Sequence, residues 1–342
     1  MSISMLPPVG DPIVLAHDER ANRRLRQSWY PYQPVFYASG TAALAAAVTA
    51  ALAVRPGRRE VVLPGYGCPA LVSAVLYAGA QPVLVDLEPG RPWLALAELT
   101  AAVGSNTAAV IAVNFLGIPE RLGALAKLTQ ATDALLIEDS AQAYPPVGID
   151  DQRADLVILS FGRGKPVSLL GGGAVLCREP MLAACLPKPA GVSGSRRRTQ
   201  LEISAYNCLR RPWLYWIPQA LPLGLGETRY QPLSSIAAMD PVRQQALGAA
   251  VERQRKQGDT IRRLRSGPAR AGVGLTDLAA VCGSRQQLLR YPLLAPTAVD
   301  RERVVRALNR AGLGASALYG SVLPEVRDMP AGLVHGDLPQ AR

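Results

Sequence analysis

The residues best suited to covalent chemistry lie in one stretch, residues 155–176. Ser160 precedes Lys165 by five positions, and three consecutive glycines, Gly171–Gly173, follow. Lysine is rare in this chain, with four among 37 basic residues. A lysine can lose its proton and form a Schiff base, whereas an arginine cannot. We therefore interpret Lys165 as a candidate nucleophile.

Three kinds of position could hold such a lysine. A phosphate-binding P-loop has the pattern G-x-x-x-x-G-K-[ST], and Gly164-Lys165 matches its centre, but Leu159 and Pro166 stand where the first glycine and the hydroxyl belong. A Schiff-base lysine instead requires a cofactor aldehyde, a phosphate cradle and a carboxylate for the pyridine nitrogen. The third possibility is a surface lysine in a turn.

Composition sets the broad class. The chain has 342 residues, 49% of them hydrophobic and 18% charged, which is enough for one large domain and a smaller one. Charges and prolines interrupt every apolar stretch, so no transmembrane helix is predicted. The five cysteines are scattered and only two histidines are present, which disfavours a metal site. Without an apolar export signal, this cysteine usage favours a cytoplasmic location.

The net charge of +11 raises the question of nucleic acid. The main support for a nucleic-acid partner comes from two basic segments. We interpret Arg196–Arg198 as a loop and the run Arg253–Arg265 as a solvated helix face. No nucleic-acid motif accompanies them, so no nucleic-acid partner is predicted. Phosphorylated or nucleotide-linked substrates are the better explanation of the charge.

Short apolar strands alternate with helices over the first half of the chain, which predicts an α/β fold with a mainly parallel sheet. The predicted strands are Glu60–Leu63, Gln81–Val85, Ala108–Val113, Ala134–Ile137, Leu156–Leu159 and Ala174–Leu176. The predicted helices are Asp18–Trp29, a run beginning at Ser39-Gly40-Thr41, Ala70–Ala78, Trp93–Val103 and Pro119–Gln130. Ligands of parallel sheets bind beyond the carboxyl ends of the strands. Four candidate residues fall there: Thr41, Cys68, Asp139 and Ser160.

The C-terminal part of the chain has a different composition and pattern. Residues 187–235 are rich in Pro, Gly and Arg and contain an aromatic cluster, Trp213–Trp216, so we expect a crossing to a second domain and an apolar patch for a partner subunit. A long helix, Pro241–Leu264, a strand, Tyr291–Ala295, and a helix, Asp300–Ala311, predict a small α+β domain. We expect a large domain over residues 1–205, including an N-terminal arm, and a small one over residues 206–342.

Four ordered motifs resemble those of the DegT/DnrJ/StrS-type sugar aminotransferases, which are pyridoxal phosphate (PLP) enzymes of fold type I. The motifs are Ser39-Gly-Thr-Ala-Ala-Leu44, Pro64-Gly-Tyr-Gly-Cys68, Glu138-Asp-Ser-Ala-Gln142 and Ser160-Phe-Gly-Arg-Gly-Lys165. The resemblance is dense from residue 35 to about 178 and loose beyond. It implies that Lys165 holds PLP covalently and moves the substrate proton, and that Asp139 pairs with the pyridine nitrogen. Further implied cofactor contacts are Gln142 for the phenolate and Gly40, Thr41 and Ser160 for the phosphate.

The chain departs from the family at several positions. Cys68 stands where an aromatic residue commonly stacks on the cofactor ring, so Tyr66 or another residue is expected to cover that face. The segment that reaches the partner's cofactor phosphate in relatives has Arg229 as its best counterpart here, which implies a homodimer. The chain also ends before the last strand and helix that relatives carry, so the sequence is a fragment or its small domain is abbreviated.

The resemblance implies an aminotransferase that moves an amino group from glutamate to a nucleotide-linked keto sugar, in polysaccharide or secondary-metabolite biosynthesis. The family's deoxygenating dehydratases replace the lysine by histidine, so Lys165 argues against that chemistry. The alternative is a catalytically silent or regulatory PLP-binding protein of the same fold.

Overall fold

A computed structural model of the chain describes residues 12–150, 152–192, 194–214, 228–257 and 274–340. These ranges form an α/β structure with a mostly parallel central sheet and flanking helices, as the alternating pattern predicts. The strands are β1 (Gln33–Tyr37), β2 (Glu60–Pro64), β3 (Gln81–Val85), β4 (Thr107–Val113), β5 (Leu135–Asp139), β6 (Leu156–Ser160), β7 (Gly173–Cys177), β8 (Thr276–Asp277), β9 (Leu293–Leu294) and β10 (Val334–His335).

The helices lie between these strands and after them. They are α1 (Glu19–Ser28), α2 (Gly40–Val54), α3 (Ala70–Tyr77), α4 (Leu96–Ala102), α5 (Leu122–Thr132), α6 (Pro180–Ala184), α7 (Arg196–Leu209), α8 (Pro241–Gln257), α9 (Leu278–Val281) and α10 (Ala298–Arg310). Two 3₁₀ turns, Phe115–Gly117 and Leu323–Glu325, complete the described elements. None of the helices in the described ranges is long and apolar enough to cross a membrane.

The central sheet has eight strands in the order β1-β7-β6-β5-β4-β2-β3-β10. Strand β7 runs antiparallel to its neighbours β1 and β6, and the other neighbouring pairs are parallel. Strands β1, β2, β4, β5 and β6 therefore all end at the same edge. This edge is where ligands of such sheets bind.

Side chains of the central strands are buried on both faces, because helices cover both sides of the sheet. In β5, Leu135 and Ile137 pack with α2, and Leu136 packs on the other face with α4 and α5. In β6, Ile158 packs with α2, while Val157 packs with residues of α1 and α8. This burial fixes the register of β5 and β6 and so the positions of the residues that end them.

Helix α2 begins at the same edge of the sheet. Ser39 caps it, with its Oγ accepting a hydrogen bond from the Ala42 amide at 3.1 Å, and this confirms the predicted helix start. Nine of its fifteen residues are buried, and it contacts β1, β6 and β7. Alanine suits this position because it favours helix and lets the backbone approach the sheet closely.

Two predicted helices begin later than expected, because the backbone groups before them form hydrogen bonds with side chains and not with the helix backbone. The predicted Trp93–Val103 helix begins at Leu96: the Trp93 indole donates to the Pro119 carbonyl at 2.9 Å, and the Leu94 amide donates to a carboxylate oxygen of Glu120 at 2.8 Å. The predicted Pro119–Gln130 helix begins at Leu122, and before it the Glu120 amide donates to the Asn114 side-chain oxygen at 2.9 Å.

The segment 187–235 contains helix α7, which the sequence analysis missed. Ser195 caps this helix by accepting a hydrogen bond from the Arg198 amide at 3.3 Å. Arg196–Arg198 therefore begin a helix, and their interpretation as a loop was wrong. Trp213 has 55% of its surface exposed, whereas Tyr215 and Trp216 of the aromatic cluster lie outside the described residues.

The predicted small domain is described in part. The predicted helix Pro241–Leu264 is found over Pro241–Gln257, and residues 258–264 lie outside the described ranges. The strand expected over Tyr291–Ala295 is confined to Leu293–Leu294, which pairs with β8. Helix α7 spans residue 205, α8 packs against α1, and β10 joins the central sheet. The division into two domains at residue 205 stays a prediction.

Candidate active site

The first two elements of the site, helix α2 and strand β6, meet at Gly40 and Ser160. A Cβ atom on Gly40 would lie 2.7 Å from the Ser160 Oγ, so only glycine fits at this approach. The Gly40 and Thr41 amides have no acceptor among the described residues, and the Ser160 hydroxyl only accepts a long 3.5 Å hydrogen bond from the Gly162 amide. Free amides at a helix N-terminus beside a hydroxyl fit an anion that has several oxygens, such as a phosphate.

Asp139 ends strand β5 at the same edge. Its side chain is buried, and its Oδ1 accepts a hydrogen bond from the Ala141 amide at 2.8 Å. Residues 140–148 form turns and not a helix, so Asp139 is not a helix N-cap. Burial raises the pKa of the Asp139 carboxyl, while the Ala141 amide and the positive charge of Lys165 lower it. Asp139 and Lys165 are therefore electrostatic neighbours.

A buried carboxylate beneath Asp139 holds the end of β5 in place. Glu138 is fully buried and accepts four hydrogen bonds between 2.6 and 2.9 Å. The donors are the Asn114 side-chain amide, the Ser140 hydroxyl and the backbone amides of Val147 and Gly148. This network ties β5 to the ends of β4 and of the following loop, and so fixes the direction of the strand end.

Gln142 connects this loop to the C-terminal part of the chain. Its Oε1 accepts a hydrogen bond from the Leu116 amide at 3.0 Å, which orients the side-chain amide. Its Nε2 donates to the Tyr319 hydroxyl at 3.0 Å. The predicted donor for the cofactor phenolate thus lies at the site and has one N–H directed to a tyrosine.

Tyr319 is a site residue that the sequence analysis missed. Its ring packs edge-on against Tyr66 with the centroids 5.4 Å apart, and its backbone amide donates to the Tyr66 hydroxyl at 3.2 Å. Burial raises the pKa of Tyr319 well above its usual value, and the acidic groups of its neighbours Cys68, Tyr66 and Asp139 raise it further. Tyr319 therefore adds a second aromatic ring, besides Tyr66, on the side of the site where Cys68 lies. No local motif in the sequence marks it.

Lys165 lies in the loop between β6 and β7, and hydrogen bonds hold this loop at both ends. The Lys165 amide donates to the Gly162 carbonyl at 3.3 Å, and the Phe161 amide donates to the Gly172 carbonyl at 2.9 Å. The Leu169 amide donates back to the Phe161 carbonyl at 2.8 Å. These bonds make the loop a closed unit, and the Lys165 side chain is half-buried within the site.

A buried arginine supports the loop from below. The Arg243 Nε donates to the Leu169 carbonyl at 2.8 Å, and its guanidinium pairs with Asp240 at 2.6 Å and with Glu202 at 3.1 Å. The side chains of Arg243 and Asp240 are 8% and 2% exposed. Arg243 was not among the predicted site residues, because two of its partners, Leu169 in the loop and Glu202 on α7, are distant from it in sequence.

Replacing Arg243 with methionine is expected to cost about 3–5 kcal/mol of unfolding free energy, because Asp240 would be left buried without its counter-charge. Urea unfolding measures this loss. Arg303→Met is the matched control: Arg303 also pairs with an aspartate, Asp300, but at an exposed site, where the pair contributes about 0–1 kcal/mol. Equal losses in the two variants would contradict the assigned role of Arg243.

Comparison with known proteins identifies the family. The family model of the DegT/DnrJ/EryC1/StrS aminotransferase family matches residues 33–341, which is nearly the whole chain. The chain belongs to this family. The match includes both the dense N-terminal motifs and the C-terminal part that contributes Tyr319.

Curated relatives align with less than half of this DegT/DnrJ/EryC1/StrS family member. A UDP-N-acetyl-3-dehydro-alpha-D-glucosamine 3-aminotransferase of Acidithiobacillus ferrooxidans is 40% identical over 143 residues, which are 41% of this chain and 38% of that protein. A dTDP-4-dehydro-2,3,6-trideoxy-D-glucose 4-aminotransferase of Saccharopolyspora spinosa is 37% identical over 156 residues, 45% of this chain and 40% of that protein. The chain thus matches well under half the length of these relatives.

Solved structures extend the likeness in fold over nearly the whole chain. A DegT/DnrJ/EryC1/StrS aminotransferase from Brucella abortus matches with a TM-score of 0.67 at 19% identity, covering 94% of this chain and 81% of that one. The sugar aminotransferase CalS13 from Micromonospora echinospora matches with a TM-score of 0.62 at 20% identity, covering 98% and 91%. At this identity the likeness concerns the fold, which is that of sugar aminotransferases.

Arg229 has its contacts in another segment, residues 327–328. It forms an ion pair with Asp328, its side chain is 52% exposed, and the next residue, Tyr230, donates its amide to the Arg327 carbonyl at 3.0 Å. Its predicted contact with a partner's cofactor phosphate stays a prediction.

Proposed function

We propose that the chain is a PLP-dependent aminotransferase that transfers an amino group from glutamate to a nucleotide-linked keto sugar. The observation that carries the proposal is that Asp139 ends β5 and Lys165 follows the neighbouring strand β6, at the sheet edge where α2 presents free amides, and that the charge of Lys165 lowers the pKa of the buried Asp139. Family membership supports the transamination, and the two curated relatives named above act on keto sugars linked to UDP and dTDP. Biosynthesis of polysaccharides or secondary metabolites is the expected context.

The residues of the site fit the parts of PLP. The amides of Gly40 and Thr41, together with the Ser160 hydroxyl, would bind its phosphate, and Asp139 would pair with its ring nitrogen. When bound, PLP supplies an electron sink for the carbanion that forms when the substrate loses a proton.

Two side chains do the chemical work on the protein's side. The Lys165 Nζ would bind the cofactor aldehyde covalently and then carry the proton between the substrate carbon and the cofactor. The Asp139 carboxylate would hold a proton on the ring nitrogen, which keeps the ring able to accept electrons. Gln142 would orient the cofactor through its remaining N–H, and the rings of Tyr66 and Tyr319 would exclude water.

The amino-donor half-reaction tests this function directly. Protein saturated with PLP is mixed with L-glutamate in the absence of any keto sugar, and we expect about one equivalent of 2-oxoglutarate per site, since the amino group stays on the protein-bound cofactor. D-glutamate is the control and should yield none. A silent PLP-binding protein would take up the cofactor, with a visible absorption band, and release no 2-oxoglutarate; that result would reject the aminotransferase proposal.

We also propose that the protein works as a homodimer in the cytoplasm. The proposal of a dimer rests on Arg229 and on the exposed Trp213. Arg229 would place a positive charge near the partner's cofactor phosphate, and Trp213 would form an apolar contact with the partner. The five cysteines are all unpaired, which agrees with a reducing compartment.

A further inference from the structure

The backbone of the loop that carries Tyr66 is held from two sides. The Gly65 amide donates to the Val85 carbonyl at 2.7 Å, and the Gly65 carbonyl accepts a hydrogen bond from the Leu323 amide at 2.8 Å. Leu323 lies in the 3₁₀ turn that follows Tyr319, the residue whose ring packs against Tyr66. The two segments that carry the aromatic pair are therefore joined to each other.

A segment near the end of the chain reaches the same loop. This segment, residues 332–338, is called the strap below. The Gly332 carbonyl accepts a hydrogen bond from the Gln81 side chain at 3.0 Å, and β10 pairs in parallel with β3, with Val334 beside Val83. Strand β3 is itself parallel to β2. The strap therefore leaves β10 at the edge of the sheet where the candidate active site lies.

Leu338 is the one buried residue of the strap. It is 4% exposed and forms an apolar cluster with Leu87 and Val322, and Tyr66 packs against this cluster. A Cβ atom on Gly65 would lie 2.7 Å from the Leu338 Cδ1, so the leucine side chain lies directly on the backbone of the loop. Leu338 thus contacts the loop and, through Val322, the segment that carries the second ring.

The cluster of Leu338, Leu87 and Val322 is small and separate from the main core. The larger clusters fill the two faces of the central sheet, whereas this one lies between the loop and the strap. Strand β10 has only two residues, and both are exposed. Burial of Leu338 is therefore the main apolar contact that holds the strap against the loop. Its loss should loosen the loop locally and leave the sheet folded.

We propose that Leu338 is a positioning residue of the site, which holds the Tyr66–Tyr319 pair in place through the loop that carries Tyr66. The proposal rests on the proposed function, in which these rings cover the cofactor and exclude water. Leu338 contributes no polar group to the chemistry and acts through its contacts with Gly65 and Tyr66. By fixing the loop, it slows the release of PLP.

The reactivity of the Cys68 thiol measures the looseness of the loop without relying on turnover. Full-length protein loaded with PLP is treated with N-ethylmaleimide, and the labelling rate of each cysteine is determined by peptide mass spectrometry. Leu338→Ala should raise the rate at Cys68 by at least about tenfold, because the loop opens more often once the packing contact is lost. The rate at Cys208, which is exposed on α7, should not change. Leu338→Met keeps the volume of the side chain and should restore the wild-type rate at Cys68.

Leu25→Ala is the matched control for a buried leucine. Leu25 is also 4% exposed, but it lies on α1 and belongs to a cluster with residues of α8 and β7, at the other end of the sheet. Both alanine variants should unfold at lower urea concentration than wild type. Only Leu338→Ala should label faster at Cys68 and release PLP faster on dilution, by about tenfold. Equal changes in the two variants would overturn the positioning role.

A double variant tests the contact itself. Gly65 does not have a positive φ, so its backbone accepts an alanine, but Gly65→Ala places a methyl group against the Leu338 side chain and should raise the labelling rate of Cys68. In Gly65→Ala/Leu338→Ala the methyl group has room and fills part of the cavity. The double variant should therefore label more slowly than Leu338→Ala alone. Additive effects of the two substitutions would contradict the contact.

Two results separate this proposal from the aminotransferase proposal. If wild-type protein produces 2-oxoglutarate from glutamate but Leu338→Ala labels at Cys68 and retains PLP as wild type does, the positioning role is wrong and the function stands. If wild-type protein fails the glutamate half-reaction, the aminotransferase proposal fails, and the labelling of Cys68 still decides whether Leu338 holds the loop.

Discussion

Replacing Lys165 with alanine is expected to slow the glutamate half-reaction by at least about 10³-fold, which corresponds to roughly 4 kcal/mol of activation free energy. Under the proposed function the side chain has two tasks, since its amine would bind the cofactor aldehyde and then transfer the substrate proton. No other lysine can take over, because the remaining three lie on other segments: Lys127, Lys188 and Lys256. The measurement is the rate of 2-oxoglutarate formation after rapid mixing with glutamate.

The matched control is Lys188→Ala, because Lys188 is exposed on a different segment. It should react at the wild-type rate. Fold stability provides a second control: Lys165 is half-buried and makes no ion pair within the described chain, so its loss should leave the unfolding free energy nearly unchanged. A Lys165→Ala rate within tenfold of wild type would contradict the assigned role.

Asp139→Asn is expected to have the second largest effect, about 3 kcal/mol or more of activation free energy, a rate loss of at least about 10²-fold. Asparagine keeps the shape of the side chain and the oxygen that accepts from the Ala141 amide. It removes the negative charge that would hold a proton on the ring nitrogen. PLP should still bind, because the proposed phosphate contacts at Gly40 and Ser160 are unchanged, and the defect should appear in the rate alone.

Stability should respond in the opposite direction. Burial raises the pKa of Asp139, which means that the fold itself disfavours the charge at this position. A neutral asparagine should therefore leave the unfolding free energy unchanged or increase it. Asp86→Asn serves as the control, since Asp86 is a buried aspartate just after β3, away from the site. A near-normal half-reaction rate in Asp139→Asn would reject the role of the charge.

The sequence predicts the central sheet well because burial on both faces leaves a strong local signal. Apolar runs of three to six residues mark β2 to β7, and the polar residues that end β5 and β6, Asp139 and Ser160, locate the ligand edge. The Ser39 cap likewise marks the start of α2. These features depend on neighbouring residues, so a pattern in the sequence is sufficient to find them.

The missed features depend on contacts between distant segments. Tyr319 and Gln142 are hydrogen-bonded although they are 177 positions apart in the sequence, and Arg243 and Leu169 are 74 positions apart. No local sequence motif marks Tyr319 or Arg243. Helix α7 was missed because the Pro- and Gly-rich flanks of residues 187–235 obscured its Ser195 cap.

The central claim is that Lys165 is the residue that binds the cofactor, and one measurement tests it most directly. The protein is incubated with PLP, treated with borohydride to make any lysine–cofactor bond permanent, digested and analysed by peptide mass spectrometry. We predict a single pyridoxyl group on Lys165, the half-buried lysine beside Asp139. A pyridoxyl group on Lys127, Lys188 or Lys256 in place of Lys165, or none on any lysine, would contradict the account.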